Sequence, residues 1–253
     1  MNSISSVLIW MGISVLILIW LPLLALRKVF DRDPARYKTG KLFRRLGLAI
    51  SKINPNWNIE IQGETNIDDR KPYIVVCNHM SNADIPLISN LPWEMKWVAK
   101  QELFKVPVIG WMMKLAGDIS VDRQAKNRRA VTLKKCIYYL NHNCSVIFFP
   151  EGTRTRNGKL NKFKDGAFDL AIRKKIDLLP LAIDGTIDCL PKQSWQFKPD
   201  VHVRLKVFPP VSVSDYDKHN VSELTNSVRN QIRKQLSEWR GVAEDQVDNL
   251  ARD

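Results

Sequence analysis

Charge is missing from the start of the chain, and acid is scarce over the stretch just beyond it. No charged side chain occurs from residue 2 to residue 26. Val7 to Leu26, VLIWMGISVLILIWLPLLAL, is an unbroken apolar run. As a helix it would be roughly 30 Å long, about the thickness of a bilayer's hydrocarbon core. The run predicts a membrane anchor. A cleaved secretory leader fits poorly, because no basic residue precedes the run and no small-x-small cleavage site closes it. A buried core helix fits less well still, because the run is apolar on every face. Pro22 is compatible with a span, a kink or an insertion into one leaflet.

Other absences narrow the chemistry. The chain has four cysteines, Cys77, Cys136, Cys144 and Cys189, and no C-x-x-C pair, which argues against a zinc site or a redox couple. Cys77 and Cys144 fall in strand-like segments and are expected to be buried, reduced core residues. That agrees with a cytoplasmic location for the folded part, where the sequon Asn220-Val221-Ser222 would meet no glycosylation enzyme. Beyond His79, the histidines His142, His202 and His219 are scattered, so no metal cluster is expected. No G-x-S-x-G elbow, phosphate-binding G-x-x-x-x-G-K-[ST] loop or dinucleotide G-x-G-x-x-G is present.

What the chain does have is positive charge. Its 253 residues carry 39 Lys+Arg against 26 Asp+Glu, a formal charge of +13, with 45% hydrophobic residues. The size suffices for one large α/β domain with its own core. The charge predicts anionic partners. From Arg27 to Lys52 nine basic residues face two acids. Basic residues just after an apolar span mark the cytoplasmic side. Phe43, Leu46, Ile50 and Ile53 recur at helical spacing there, which suggests a basic amphipathic helix lying on anionic lipid. The competing reading is a solvated helix packed on the domain, and Gly40 and Gly47 weaken the helix.

Strand-like segments occupy the rest of the chain at intervals: Tyr73–Cys77, Met95–Ala99, Asp118–Asp122, Cys144–Phe149, Leu178–Asp184 and Val201–Phe208. Helical patterns lie between several of them, as in Lys126–Asn141, and a last helix is expected over Val221–Arg240. The alternation predicts an α/β fold, a mostly parallel sheet flanked by helices. The organisation read from it is an anchor at 1–28, a basic interfacial helix and linker at 29–58, a main domain at 59–240 and a polar tail at 241–253.

Ligands of such sheets collect at the carboxyl ends of strands. NHMSNADIP comes directly after the first of these strands and PEGTRTRNG after the fourth. Lys100 and Arg123 come after the second and third. If the strands are parallel, four polar clusters share one edge. Residues five apart on a helix point about 140° away from each other, so His79 is expected in a loop. Asp84 suits a helix N-cap and Pro86 the first turn. The loop can fold the imidazole onto the carboxylate, which fixes the tautomer and leaves the other ring nitrogen as a base. An isolated H-x-x-x-x-D fits equally a capping aspartate and a histidine that satisfies loop carbonyls. In the second cluster, Gly152 permits a tight turn and Arg154 offers a planar fork suited to phosphate. Glu151 stands beside them, and eight basic residues face two acids from Gly152 to Lys175.

Taken together these residues resemble the 1-acylglycerol-3-phosphate acyltransferases, a family of glycerolipid acyltransferases. Four motifs match in order: NHMSNAD; Val98 to Arg123 with Lys100, Gly117 and Arg123; FFPEGTRT; and LLPLAIDGT. The likeness covers roughly residues 60–215. It implies that His79, oriented by Asp84, deprotonates the sn-2 hydroxyl of lysophosphatidic acid, which attacks the thioester of acyl-CoA or acyl-carrier protein. It further implies that Lys100, Arg123 and Arg154 hold the phosphate. Gly152 and Thr153 would shape the loop, and Glu151 would orient Arg154 or bind a substrate hydroxyl. Lys164 and Gly166 belong to the same pattern. No metal or bound cofactor is implied; the acyl donor is a co-substrate. Trp93, Trp97, Phe104, Trp111 and Met112 would either line an apolar groove for acyl chains or sit in the core.

The nearest rival is the same chemistry on another lysophospholipid or on glycerol 3-phosphate. A membrane-anchored basic scaffold without turnover is a second. A nucleic-acid partner has no recognised motif behind it. Oligomeric state is not legible.

Overall fold

A computed structural model describes residues 3–63, 67, 68, 70–122, 128–191 and 194–249. In chain order the elements are α1 (Ser3–Phe30), α2 (Tyr37–Ile53), β1 (Trp57–Gly63), β2 (Ile74–Cys77), α3 (Asp84–Ile88), β3 (Met95–Lys100) and α4 (Ile109–Ala116). They continue with β4 (Ile119–Val121), α5 (Arg128–Asn141), β5 (Ser145–Phe148), α6 (Gly166–Lys174), β6 (Leu178–Asp184), α7 (Thr186–Cys189), β7 (Val201–Val207), α8 (Val221–Arg240) and α9 (Glu244–Val247). A 3-10 turn, Gln101–Lys105, comes after β3. Strand β1 has no counterpart in the sequence reading, because WNIEIQG mixes apolar and polar residues without a buried run.

The chain divides into two compact, interleaved units, one of Met1–Trp57, Asn66–Pro72 and Ile85–Ile147, the other of Asn58–Thr65, Tyr73–Asp84 and Phe148–Asp253. In the first unit β3 pairs in parallel with β4 and with β5, and α5 covers β4. In the second, β2 pairs in parallel with β6, while β7 runs antiparallel to β6. All of β2 and the first six residues of β6 are buried, as strands covered on both faces must be. Helix α8 packs on β6 and on α6 through Leu224, Val228, Ile232 and Leu236. The sequence's α/β expectation is met, with a mostly parallel sheet flanked by helices.

Helix α1 is long and apolar enough to cross a bilayer. It packs on α2 and α4 around Leu24, Leu46 and Met112, and Trp20 donates to the Leu42 carbonyl at 2.9 Å. Leu42, Phe43, Leu46 and Ile50 of α2 all join this cluster. The apolar face of α2 is therefore occupied by α1 and α4. The opposite side of α1 leaves Ile4, Leu8, Leu18, Leu26 and Val29 exposed.

Beneath α2 the first unit buries an ionic cluster. Lys96 Nζ lies 2.9 Å from Glu94 Oε1, and Arg44 binds Asp118 Oδ1 at 2.5 Å and approaches Glu94 Oε2 at 3.5 Å. Both Lys96 and Glu94 are wholly buried. Burial opposes the charge on Lys96, but Glu94 beside it prevails and holds the ammonium above the usual lysine range. Burial likewise opposes Arg44, whose charge Asp118 and Glu94 secure. Gly40 lies against this cluster, and a methyl group there would collide with Glu94 Oε1. The glycine that weakens α2 in the sequence is what lets the helix approach.

Residues read as a polar tail are docked on the second unit. Val247 is buried, Arg229 binds Asp248 at 2.5 Å, and Leu160 and Val247 share a 2.8 Å backbone bond. Four of the five candidate groove residues, Trp93, Trp97, Phe104 and Met112, are core; Trp111 is exposed.

Candidate active site

The site forms within the second unit, at the exit of β2. Asn78 anchors the exit: its amide donates to the Ile183 carbonyl and its oxygen accepts from the Ile183 N–H, both at 2.9 Å. This reciprocal pair ties the start of the NHMSNAD loop to the end of β6. The chain then turns, and His79 comes back onto Asp84, with Nδ1 2.6 Å from Oδ2.

Asp84 has no exposed surface. Its Oδ2 accepts from the Met80 and Ser81 N–H groups at 2.8 and 3.1 Å as well as from His79. Its Oδ1 accepts from the Thr186 hydroxyl at 2.5 Å. The sequence suggested an N-cap; the structure instead aims the carboxylate back into its own loop. Such a carboxylate needs no cation, since every donor is neutral and fixed. An anion at Oδ2 requires the proton on His79 Nδ1, which leaves Nε2 as the lone-pair nitrogen. Nε2 has no hydrogen-bond partner among the described residues. The ring stacks on Phe149, with centroids 4.0 Å apart and planes at 19°. The side chain keeps 18% of its surface exposed, enough to meet a ligand.

Glu151, in the loop after β5, serves the same loop from the other side. Its Oε1 accepts from the His79 N–H at 2.6 Å, and its Oε2 accepts from the Asn161 backbone and side chain at 3.0 and 2.7 Å. Burial pushes its carboxyl up to about 7, against the lowering effect of the His79 and Asn161 donors. With both oxygens occupied in this way, Glu151 makes no bond to Arg154. The Thr155 N–H donates to the His79 carbonyl at 2.9 Å, so the histidine's backbone is held at both ends.

Gly152 has φ +72°, and a methyl group there would stand 2.7 Å from Lys164 Nζ. Glycine thus admits the Lys164 ammonium against the loop. Thr153 and Arg154 are exposed beside it, and Arg154 has no hydrogen-bond or ion-pair partner among the described residues. The second unit therefore brings together His79, Asp84, Glu151, Gly152, Thr153 and Arg154. Lys100 is exposed at the end of β3 in the other unit. Arg123 lies outside the described residues.

Sequence reasoning gave no role to Thr186, Asn161, Asn78 or Phe149. Thr186 closes LLPLAIDGT and Asn78 opens NHMSNAD, so both stood inside matched motifs. Asn161 carried no signal.

Known proteins share this arrangement's sequence. The family model described as Acyltransferase matches residues 58–184, a span that holds every residue of the His79–Asp84 and Glu151–Arg154 clusters. A chloroplast 1-acyl-sn-glycerol-3-phosphate acyltransferase of Arabidopsis thaliana is 32% identical over 89% of this chain and 62% of its own. The alpha 1-acyl-sn-glycerol-3-phosphate acyltransferase of Mus musculus is 30% identical over 74% of this chain and 67% of its own. The chain thus spans a little under two thirds of the chloroplast relative. The crystal structure of the 1-acyl-sn-glycerophosphate acyltransferase PlsC from Thermotoga maritima superposes with a TM-score of 0.79 at 27% identity, covering 94% of this chain and 96% of that one. A histidine held by a buried aspartate, a glutamate-braced PEGTR loop and a matching sequence from 58 to 184 have one common explanation: the chain belongs to the acyltransferase family.

Proposed function

We propose that this protein transfers a fatty acyl group from a thioester, acyl-CoA or acyl-carrier protein, to the sn-2 hydroxyl of lysophosphatidic acid, giving phosphatidic acid. The observation that carries the reading is the His79–Asp84 couple, whose imidazole Nε2 has no hydrogen-bond partner among the described residues, while Arg154, also without one among them, directly precedes the Thr155 whose N–H bonds the His79 carbonyl. The relatives' names point to the same acceptor.

In this mechanism His79 Nε2 takes the hydroxyl proton as the oxygen attacks the thioester carbonyl. A C–O bond forms, the C–S bond breaks, and the imidazolium returns the proton to the departing thiolate. Asp84 stabilises the transient imidazolium and fixes the tautomer, as in other carboxylate–histidine couples. Thr186 acts as a positioning residue: its hydroxyl holds Oδ1, so that Oδ2 stays on His79. Glu151 positions the His79 backbone. Arg154 and Lys164 supply cations for the acceptor's phosphate. No covalent acyl-enzyme, metal or cofactor takes part. Helix α1 anchors the chain in the membrane, and the basic residues just after it put the catalytic part on the cytoplasmic face.

The test is thiol release by the protein in detergent, from acyl-CoA and from acyl-carrier protein, with lysophosphatidic acid, glycerol 3-phosphate or lysophosphatidylcholine as acceptor. The reading expects the fastest release with lysophosphatidic acid. Faster release with another acceptor would move the substrate, and no release by folded protein would overturn the reading.

A further inference from the structure

The first unit holds an open cleft of about 580 Å³, the size of a small-ligand site. Its chemistry is one-sided. Arg36, Lys105, Lys114 and Lys135 line it, and Asp118 is the only carboxylate among the lining residues. Asp118 is buried and ion-paired: its Oδ1 binds Arg44 at 2.5 Å and accepts from the Trp97 N–H at 3.1 Å, while its Oδ2 is buried without a hydrogen-bond partner among the described residues. Lys105, Lys114 and Lys135 are exposed, and none has an ion-pair partner among the described residues. Arg36 is fixed in place, since its Nη1 donates to the Lys114 carbonyl at 2.8 Å.

Four cations from four separate segments thus line one volume whose one carboxylate, among the described residues, is buried and already paired with Arg44. Structural lysines in this same unit behave differently: Lys96 sits against its own glutamate. Three aromatic residues, Phe104, Tyr138 and Tyr139, complete the wall. Tyr138 is half exposed, and Tyr139 brings its phenol, whose proton burial holds more tightly than usual. A lone phosphate would use one or two of the cations and no ring. Several phosphates joined to a flat base would use both kinds of wall, because bases stack on aromatic faces and phosphates seek cation clusters.

We infer that this cleft binds the phosphorylated nucleotide end of the acyl donor, a nucleotide carrying more than one phosphate, such as that of coenzyme A. The identity of the nucleotide rests on the acyl-transfer reading; the cleft's anion chemistry does not.

The experiment is isothermal titration of the full chain in detergent with coenzyme A, adenosine 3′,5′-bisphosphate and glycerol 3-phosphate. Wild type is compared with the double variant Lys114→Ala/Lys135→Ala and with Lys114→Glu. These lysines are exposed, and circular dichroism checks that the variants fold. Coenzyme A and the bisphosphate should bind wild type, and the double variant should weaken both by about tenfold or more, the scale of one or two charge-assisted contacts. In turnover the KM for acyl-CoA should rise by a similar factor, with kcat and the KM for lysophosphatidic acid unchanged. Unaltered nucleotide affinity in both variants, or no nucleotide binding by wild type, would overturn the inference. So would binding to phosphatidylglycerol vesicles that depends on these lysines while nucleotide binding does not. Acyl transfer without nucleotide binding overturns the cleft assignment alone. Lysine-dependent nucleotide binding without acyl transfer overturns the functional reading alone and leaves the cleft standing.

Discussion

The ionic cluster of the first unit and the candidate site of the second both bury charge, but they neutralise it in opposite ways. The first unit sets Arg44 and Lys96 against Glu94 and Asp118, two cations and two anions. The second buries Asp84 and Glu151 with no cation bonded to either, and satisfies them with backbone N–H groups, a threonine hydroxyl, an asparagine and one imidazole. A balanced cluster has no use for a ligand. An anion held by neutral donors keeps its field for the one group that can become charged, His79. The difference separates a structural lock from a poised site, although both read as buried polar residues.

Removing the acceptor of the His79 proton should give the largest effect of the comparison. Asp84→Asn would offer Nδ1 an amide in place of an anion and release the wrong tautomer. The rate of thiol release should fall by roughly 10²–10⁴. Circular dichroism would check that the fold survives.

The counterpart in the first unit is Lys96→Met. It leaves Glu94 and Asp118 with one cation, so thermal unfolding should show a loss of about 3–5 kcal/mol, typical of a buried charge stripped of its partner. Exchanging Glu94→Gln together with Lys96→Met should cost less than the single change. Equal losses would mean that the pair is not a lock.

A smaller effect is expected from Thr186→Val, which keeps the shape but removes the donor to Asp84 Oδ1. We expect a drop of about tenfold in kcat, the scale of one lost hydrogen bond to a charged group. Thr186→Ser should restore most of it. Recovery by serine separates positioning from packing, because serine lacks the methyl group.

The smallest effect concerns Glu151. Burial raises its carboxyl to about 7, from a usual 4.5. The folded chain therefore holds this proton more tightly than the unfolded chain does. The resulting contribution to stability is full below about pH 4.5 and is lost as pH rises through about 7. Thermal midpoints measured across that window should show this slope in wild type. They should lack it in Glu151→Gln, which still accepts from the His79 N–H.

These two solutions were unequally legible. The H-x-x-x-x-D and PEGTR stretches could be read because each packs its functional groups into a few consecutive residues after an apolar strand. Thr186 lies 102 positions from Asp84 in sequence. It could be noticed only as the end of a motif, not as a partner. The lock was invisible: Lys96 alternates with apolar residues in β3 and reads as an edge charge, while Arg44 sits in α2 as one of many basic residues. Gly40 argued against the helix that it makes possible. The basic cleft drew on Arg36, Lys105, Lys114 and Lys135, whose common position only folding supplies. Periodicity sees neighbours along an element, and each of these features is made between elements.

The most direct test of the account is the rate of thiol release with lysophosphatidic acid for His79→Ala, set beside wild type in the same detergent. The account predicts loss of roughly 10²–10⁴ in rate, with the circular dichroism spectrum and thermal midpoint retained. Turnover within a few-fold of wild type from a folded variant would contradict it, because no other described histidine is bonded to a buried carboxylate.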